Sequence, residues 1–297
     1  MKKYLHIYAF LALLFCGGNY VHSQITVDSS VPLEQLIQDN LIEGCVEISN
    51  PKSTVNGSSY GLPSYAYFSR GSSDFPFEDG IMLSTGSAES GGNAKRDALL
   101  SEGSDIWGTD PDLEDVLGIT NTFNATSIEF DLVSATNQIQ FNYLLASEEY
   151  DGFNSCSFGD RIVFLIKKAD NPSSQFRNIA VIPNTGNIPV STETIRPAIP
   201  GTDDSTGCDA QNPEYFYGFN DPDTNYDGRT IPLSATANIE PYVKYHVKLI
   251  IADFADSYVD SAVFIEAISV DNLELGDDIV DCRSSTTLNA DIENPSA

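Results

Sequence analysis

The chain has 297 residues, with 15 Lys and Arg against 43 Asp and Glu, a formal net charge of −28 at neutral pH. Such an excess of acid excludes nucleic acid as the default partner, because binding a polyanion needs a basic surface that releases counterions. A hydrophobic content of 41% with 10% aromatics excludes an acidic disordered tail, so the chain folds.

The first element is a leader. Met1, Lys2 and Lys3 precede the apolar run YLHIYAFLALLFC, and small residues lead to Val21-His22-Ser23. A basic start, a short apolar stretch and a small-residue exit describe a secretory signal peptide over residues 1–23, cleaved after Ser23. An uncleaved membrane anchor needs about 20 apolar residues, and this run is shorter. A lipoprotein reading at Cys16 is disfavoured by the bulky Phe15 before it. No later segment is long and apolar enough to span a bilayer.

Export sets the redox chemistry. Cleavage leaves Cys45, Cys156, Cys208 and Cys282, which in an oxidising compartment form two disulfides with three possible connectivities. Cys156 and Cys208 both sit in polar loop sequence, which suggests Cys156–Cys208 with Cys45–Cys282. Zinc is the competing idea, but there is no C-x-x-C pair, and a single histidine survives cleavage.

Leu33, Leu36 and Ile37 mark one face of a short helix behind Pro32. A second helix is written DPDLEDVLG: Asp110 caps it, Pro111 takes the first position, Leu113, Val116 and Leu117 form the buried stripe, and Gly118 ends it. The rest reads as strand. Residues 128–132 and 139–145 alternate cleanly between apolar and polar side chains, as half-buried antiparallel strands do. Further strands are predicted at 80–84, 161–167, 178–183, 230–234, 243–252 and 261–270. Many short strands between Gly, Asn, Asp and Pro turns predict an all-β, antiparallel, jelly-roll-like β-sandwich with two short helices. The domain is expected to run from 24 to 273, with 274–297 as a polar connector to a further module or sorting region.

Acidic residues gather at two turns. Strand 139–146 runs into Ser147-Glu148-Glu149-Tyr150, and Asp160 opens the next strand; Asp253, Asp256 and Asp260 punctuate the later turn. If the two hairpins are neighbours pointing the same way, Glu148, Glu149, Asp151, Asp160, Asp253, Asp256 and Asp260 share one end of the sandwich, with Arg161 as the local positive charge. Two carboxylates about 4 Å apart repel by roughly 4 kcal/mol at an effective dielectric near 20. Hard oxygen ligands on loops suit Ca²⁺, so the candidate metal ligands are Glu148, Glu149, Asp160, Asp253, Asp256 and Asp260. The alternative is that these side chains cap turns and face solvent. A second stretch, DPDTNYDG, matches the start of an EF-hand loop at Asp223, Asn225, Asp227 and Gly228, but Ser234 stands where the closing Glu belongs, so it reads better as a polar turn.

Catalytic motifs are missing. His246 is the single imidazole left after cleavage and shares the polar face of its strand with Lys244 and Lys248, so it reads as solvated surface. A glycosidase pairing Glu148 with Asp160 or Asp253 is the enzymatic alternative. A binding surface is better supported by loop aromatics: Tyr150, Phe153, Tyr215 and Tyr217 are candidates to stack on a carbohydrate or dock a cell-surface protein, while Phe216 and Phe219 are expected to cover the core.

The segments FPFEDGIMLSTG, DPDLEDVLG, QFNYLLASEEYDGFNSCSFGDRIVFLI, NIAVIPNTG, DGRTIPLSA and YHVKLIIADFADSYVDSAVFIEA, in this order over roughly residues 30–270, resemble the choice-of-anchor L domain. The resemblance implies an exported bacterial surface protein, often type IX secretion cargo, handled by secretion machinery. It implies no catalytic residues. The sequence-based expectation is an exported adhesion or binding module, calcium-stabilised and part of a larger envelope protein, with a hydrolase or a non-binding spacer as alternatives.

Overall fold

The computed structural model describes residues 24–43, 46–103, 107–150, 152, 154–201, 206–266 and 268–269; the leader, Cys45, Cys282 and the 274–297 connector lie outside them. In chain order the strands begin with β1 (Thr26–Asp28), β2 (Ile42–Glu43), β3 (Val46–Lys52), β4 (Tyr65–Ser69), β5 (Asp79–Ser84), β6 (Thr122–Ser134) and β7 (Gln138–Ser147). They continue with β8 (Arg161–Lys168), β9 (Arg177–Asn178), β10 (Phe216–Phe219), β11 (Gly228–Thr230), β12 (Leu233–Asn238), β13 (Lys244–Phe254), β14 (Ser261–Glu266) and β15 (Ile268–Ser269). Helix α1 spans Leu33–Asn40 and α2 spans Pro111–Leu117.

Two antiparallel sheets make an all-β sandwich. The larger runs β1-β4-β5-β14-β7-β11-β10, with β12 also paired to β7; the smaller runs β3-β6-β13-β8-β9. A parallel pair joins β15 to β2. Between the sheets, Phe141 and Tyr143 of β7 meet Phe164 of β8 with ring centroids 5.8 and 4.8 Å apart. Ile128, Phe130 and Leu132 of β6 and Val247, Leu249 and Ile251 of β13 complete that wall, while Leu36 and Ile37 of α1 close one side.

Both sheets are also covered on their outer faces. Phe75, Phe77 and Tyr226 lie over Leu144 of β7 and Phe264 of β14. Leu113 of α2 covers Val163, Leu165 and Ile250. That second layer explains why the strand texts YLLA, IVFLI and LIIA are apolar in consecutive positions instead of alternating.

Helix α2 follows its capping signals: the Asp110 carboxylate accepts from the Asp112 amide at 3.0 Å, and Gly118 takes the left-handed conformation at φ 66°. Two strand expectations are corrected. The run expected at 230–234 breaks into β11 and β12 around Ile231-Pro232, because Pro232 has no N–H for a ladder. Of the strand expected at 178–183, only Asn178 pairs in a strand, β9, which begins one residue earlier at Arg177; Val181 makes an isolated bridge to Pro189.

A buried carboxylate pole as the candidate functional site

β7 belongs to the larger sheet and β8 to the smaller, so the connection 148–160 arches across the sandwich; the connection from β13 to β14 arches back. Neither is the hairpin the sequence suggests. The ends of β7 and β14 are neighbours through the pair Ser147 and Ser261, and those of β13 and β8 through Ala252 and Arg161. Both arches therefore leave the sandwich at one end. Two sheets about 10 Å apart need connections longer than a tight turn.

The structure brings Glu148, Glu149, Asp160, Asp253 and Asp260 together, each no more than 2% exposed. The Glu148 amide donates to the Asp260 carbonyl at 3.1 Å, stitching the arches on the larger sheet. On the other side the Phe254 amide donates to Asp160 Oδ1 at 3.2 Å. Glu149 Oε2 accepts from the Asp160 amide at 2.8 Å and from the Thr192 hydroxyl at 2.6 Å. Asn124 donates to Asp253 Oδ2 at 2.7 Å, and the Glu102 amide donates to both oxygens of Asp260 at 3.0 Å. Gly86 makes the room: a Cβ there would stand 2.1 Å from Asp260 Oδ2. Two oxygens are left over. Asp160 Oδ2 and Asp253 Oδ1 are buried and meet no hydrogen-bond partner.

Burial drives these carboxyls toward the neutral form. It lifts Asp160 to about 7, opposed by hydrogen bonding, the Phe254 amide's included, and least by the nearby Arg161 charge. Burial and then the Asp160 charge hold Glu149 and Asp253 well above the usual carboxylate range. Asp260 rises to about 7 through burial and the Glu102 charge, and Glu148 to about 9 through burial and Asp227. Arg161 itself pairs with Glu193 at 2.5 Å and lies over the Phe254 ring. Among the described residues, no three His, Cys, Asp or Glu side chains form a ready-made metal shell.

Asp256 stays half-buried on its arch, where its carboxylate caps the Tyr258 amide at 3.1 Å. Asp151 and Phe153 lie outside the described residues. Tyr150, expected as a ligand-binding ring, is instead 1% exposed: its hydroxyl donates to the Ile195 carbonyl at 2.9 Å and its ring packs on Phe216. Tyr215 is half-buried against the core. Tyr217 and Phe219 project from the edge strand β10, 55% and 48% exposed, so Phe219 does not cover the core as expected. The Arg229 guanidinium sits 3.6 Å above the Tyr217 ring and forms a buried ion pair with Asp221. Two clefts adjoin this strand and share Asn220 and Asp227. One, about 330 Å³, is lined by Phe219 and Ile199; the other, about 450 Å³, by Lys95, Arg96 and Glu148.

Cys156 and Cys208 are joined by a disulfide, their Cα atoms 5.9 Å apart, which ties the first arch to the 206–212 segment. Arg196 reinforces the tie through the Ser155 and Asp209 carbonyls. In DPDTNYDG, Asp223 and Asn225 are buried and serve as stitching. Asp223 accepts from the Asp74 amide, and Asn225 bonds Gln24, the Arg96 amide and the carbonyls of Ser90 and Ala94. His246 is not solvated surface either; it bridges Asp131 at 2.7 Å and Glu129 at 3.0 Å. Lys248 is buried against Asp110 and Asp112.

Asn124, Thr192 and Glu102 escape sequence reading because each comes from a distant part of the chain. Asp227 had a signal in the half-matched calcium loop, though it joins the pole and not an EF-hand.

The choice-of-anchor L domain model matches residues 24–271. The chain belongs to the choice-of-anchor L domain family. It is thus a module of exported or surface-anchored proteins, in a family that is not one of enzymes. Comparison with curated proteins and with solved structures gave no match. Among the described residues of this choice-of-anchor L chain, no helix is long and apolar enough to cross a membrane.

Proposed function

We propose that this choice-of-anchor L module is displayed outside the cell and binds carbohydrate through the aromatic edge of its carboxylate pole. The leader at 1–23 would hand the chain to the export machinery. The observation that carries the reading is the placement of Tyr217 and Phe219, two exposed rings on an edge strand, beside clefts that carry amide, carboxylate and cationic side chains. Sugars offer an apolar face for stacking and a rim of hydroxyls for such polar groups. The Arg229 guanidinium presses on the Tyr217 ring, which lowers the cost of ordering it on binding.

A hydrolase using Asp160 or Asp253 is disfavoured, because both are 1% exposed and a glycosidic bond must lie between the two carboxyls. The test is a panel of insoluble polysaccharides incubated with the purified protein. Retention without reducing-end release, weakened at least tenfold by Tyr217→Ala with Phe219→Ala, supports the reading. Retention of none of them, or retention unchanged in the double variant, overturns it. Reducing-end release would replace it with the hydrolase.

A further inference from the structure

At the pole, five buried carboxyls lie within two arches, and the cation acting on Asp160 is already engaged with Glu193. Amides and the Thr192 hydroxyl satisfy Glu149 Oε2, Asp160 Oδ1, Asp253 Oδ2 and both oxygens of Asp260. The buried oxygens that meet no partner are Asp160 Oδ2 and Asp253 Oδ1, on side chains at the adjoining ends of β8 and β13. A buried acceptor without a donor costs about 1–3 kcal/mol in an ordinary fold, more when charged. Two of them on neighbouring carboxyls call for a shared positive partner.

We infer that Asp160 and Asp253, with Glu149 beside them, hold a calcium ion that bridges the two arches, the unpartnered Asp160 Oδ2 and Asp253 Oδ1 being its anchoring ligands. The donor set is oxygen only. The nearby cysteines, Cys156 and Cys208, are consumed in a disulfide, and His246 is engaged with Glu129 and Asp131, which disfavours zinc. Magnesium demands near-ideal octahedra and sheds water reluctantly, whereas calcium accepts about 6–8 oxygens in irregular shells that include carbonyls and water. Two anchors with a third carboxyl alongside can therefore nucleate a calcium shell where no complete set of side chains is preassembled. Extracellular modules bind calcium at roughly 10⁻⁴–10⁻³ M, an affinity an adjustable site of this kind can reach. The inference is independent of what the clefts bind.

The experiment uses the purified protein, stripped with a chelator and dialysed into chelator-free buffer. Calcium chloride is then titrated by isothermal calorimetry and in thermal melts, with magnesium and zinc chlorides in parallel. Saturable calcium heat is expected, with a midpoint rise of about 5–10 °C at calcium 100-fold above Kd and a smaller response to magnesium. Asp160→Asn with Asp253→Asn should weaken calcium binding at least 30-fold, while Asp256→Asn leaves it unchanged. Native mass spectrometry of the unsubstituted protein gives a readout that needs no variant: a calcium adduct that survives a magnesium excess. No calcium heat and no midpoint shift in a folded, stripped protein would overturn the inference, as would a double variant that binds calcium as tightly as the parent. Polysaccharide retention is scored separately with and without chelator, so failure of either idea is read on its own.

Discussion

Asp160 and Asp253 stand at the adjoining ends of β8 and β13, and each leaves one carboxyl oxygen buried and unpartnered, Oδ2 on the first and Oδ1 on the second. The charge of Asp160 is the neighbour that most raises Asp253 after burial itself. Their proximity is a liability the fold retains. Asp253→Asn replaces a carboxylate with an amide that can donate. In chelator this variant is expected to melt about 2–4 °C higher than the parent, the shift that roughly 1 kcal/mol gives in a domain of this size. With calcium present the order should reverse. Differential scanning calorimetry in both buffers checks this, and a lower midpoint in chelator would mean that Asp253 is held by contacts an amide cannot replace.

The Cys156–Cys208 disulfide spans 52 residues of sequence. Loop-closure entropy for that length corresponds to about 4 kcal/mol of destabilised unfolded state. Replacing both cysteines by serine should lower the urea unfolding free energy by up to this amount with an unchanged fold by circular dichroism. A loss below about 1 kcal/mol would show that the unfolded chain already holds these segments together.

His246 supplies the pH dependence. The Glu129 hydrogen bond, opposed by burial and aided by Asp131, raises the imidazole above its ordinary value. Burial alone would raise Glu129, but His246 together with the Lys248 and Lys52 charges overcomes it and holds the carboxyl at about 2. A raised histidine contributes stability that is complete below its unfolded value of about 6.5 and is lost as pH climbs through the raised folded value. A lowered Glu129 contributes stability that is complete above its usual 4.5 and is lost as pH falls toward 2. The groups around the ring are Glu129, Asp131 and Phe176, with Lys244 and Lys248 on its own strand, Lys167 across from it on β8, Asp170 beyond that strand, and Asn50 and Lys52 on β3. The stability gap between parent and His246→Gln is therefore expected to be widest near pH 5–6 and to narrow on both sides. Chemical denaturation from pH 3 to pH 9 measures it; a flat gap would mean the ring acts only by packing.

Tyr150 and Tyr217 should separate stability from binding. Tyr150→Phe removes the bond to the Ile195 carbonyl and is expected to cost about 1–2 kcal/mol, with polysaccharide retention unchanged. Tyr217→Ala takes away a ring that is 55% exposed and should change stability by about 0.5 kcal/mol or less while reducing retention. Paired urea melts and pull-downs score both.

In the core, Phe164→Ala is expected to cost about 3–5 kcal/mol, because its ring fills the space between the sheets against Phe141 and Tyr143. Equilibrium unfolding measures this, and a cost under 2 kcal/mol would show that the two sheets close onto the gap.

Features set by short-range rules were legible in the residues alone. Asp110, Pro111 and Gly118 bracket α2 because capping and left-handed termination act within a few residues. The positions of β7, β8 and β13 followed from runs of apolar residues between turn formers. The acidic text around Glu148 and Asp260 marked the pole for the same reason. Strand pairing is long-range and emerges only when the whole chain is folded. That β7 crosses to β8 on the opposite sheet, while β14 returns to lie beside β7, follows from burying two apolar faces at once. This crossing turns solvent-facing turn carboxylates into buried ones, and it carries Tyr150 inward while leaving Tyr217 at the edge. Burial depends on what the rest of the chain lays over a residue, and neither spacing nor residue type near Glu149 or His246 encodes that covering.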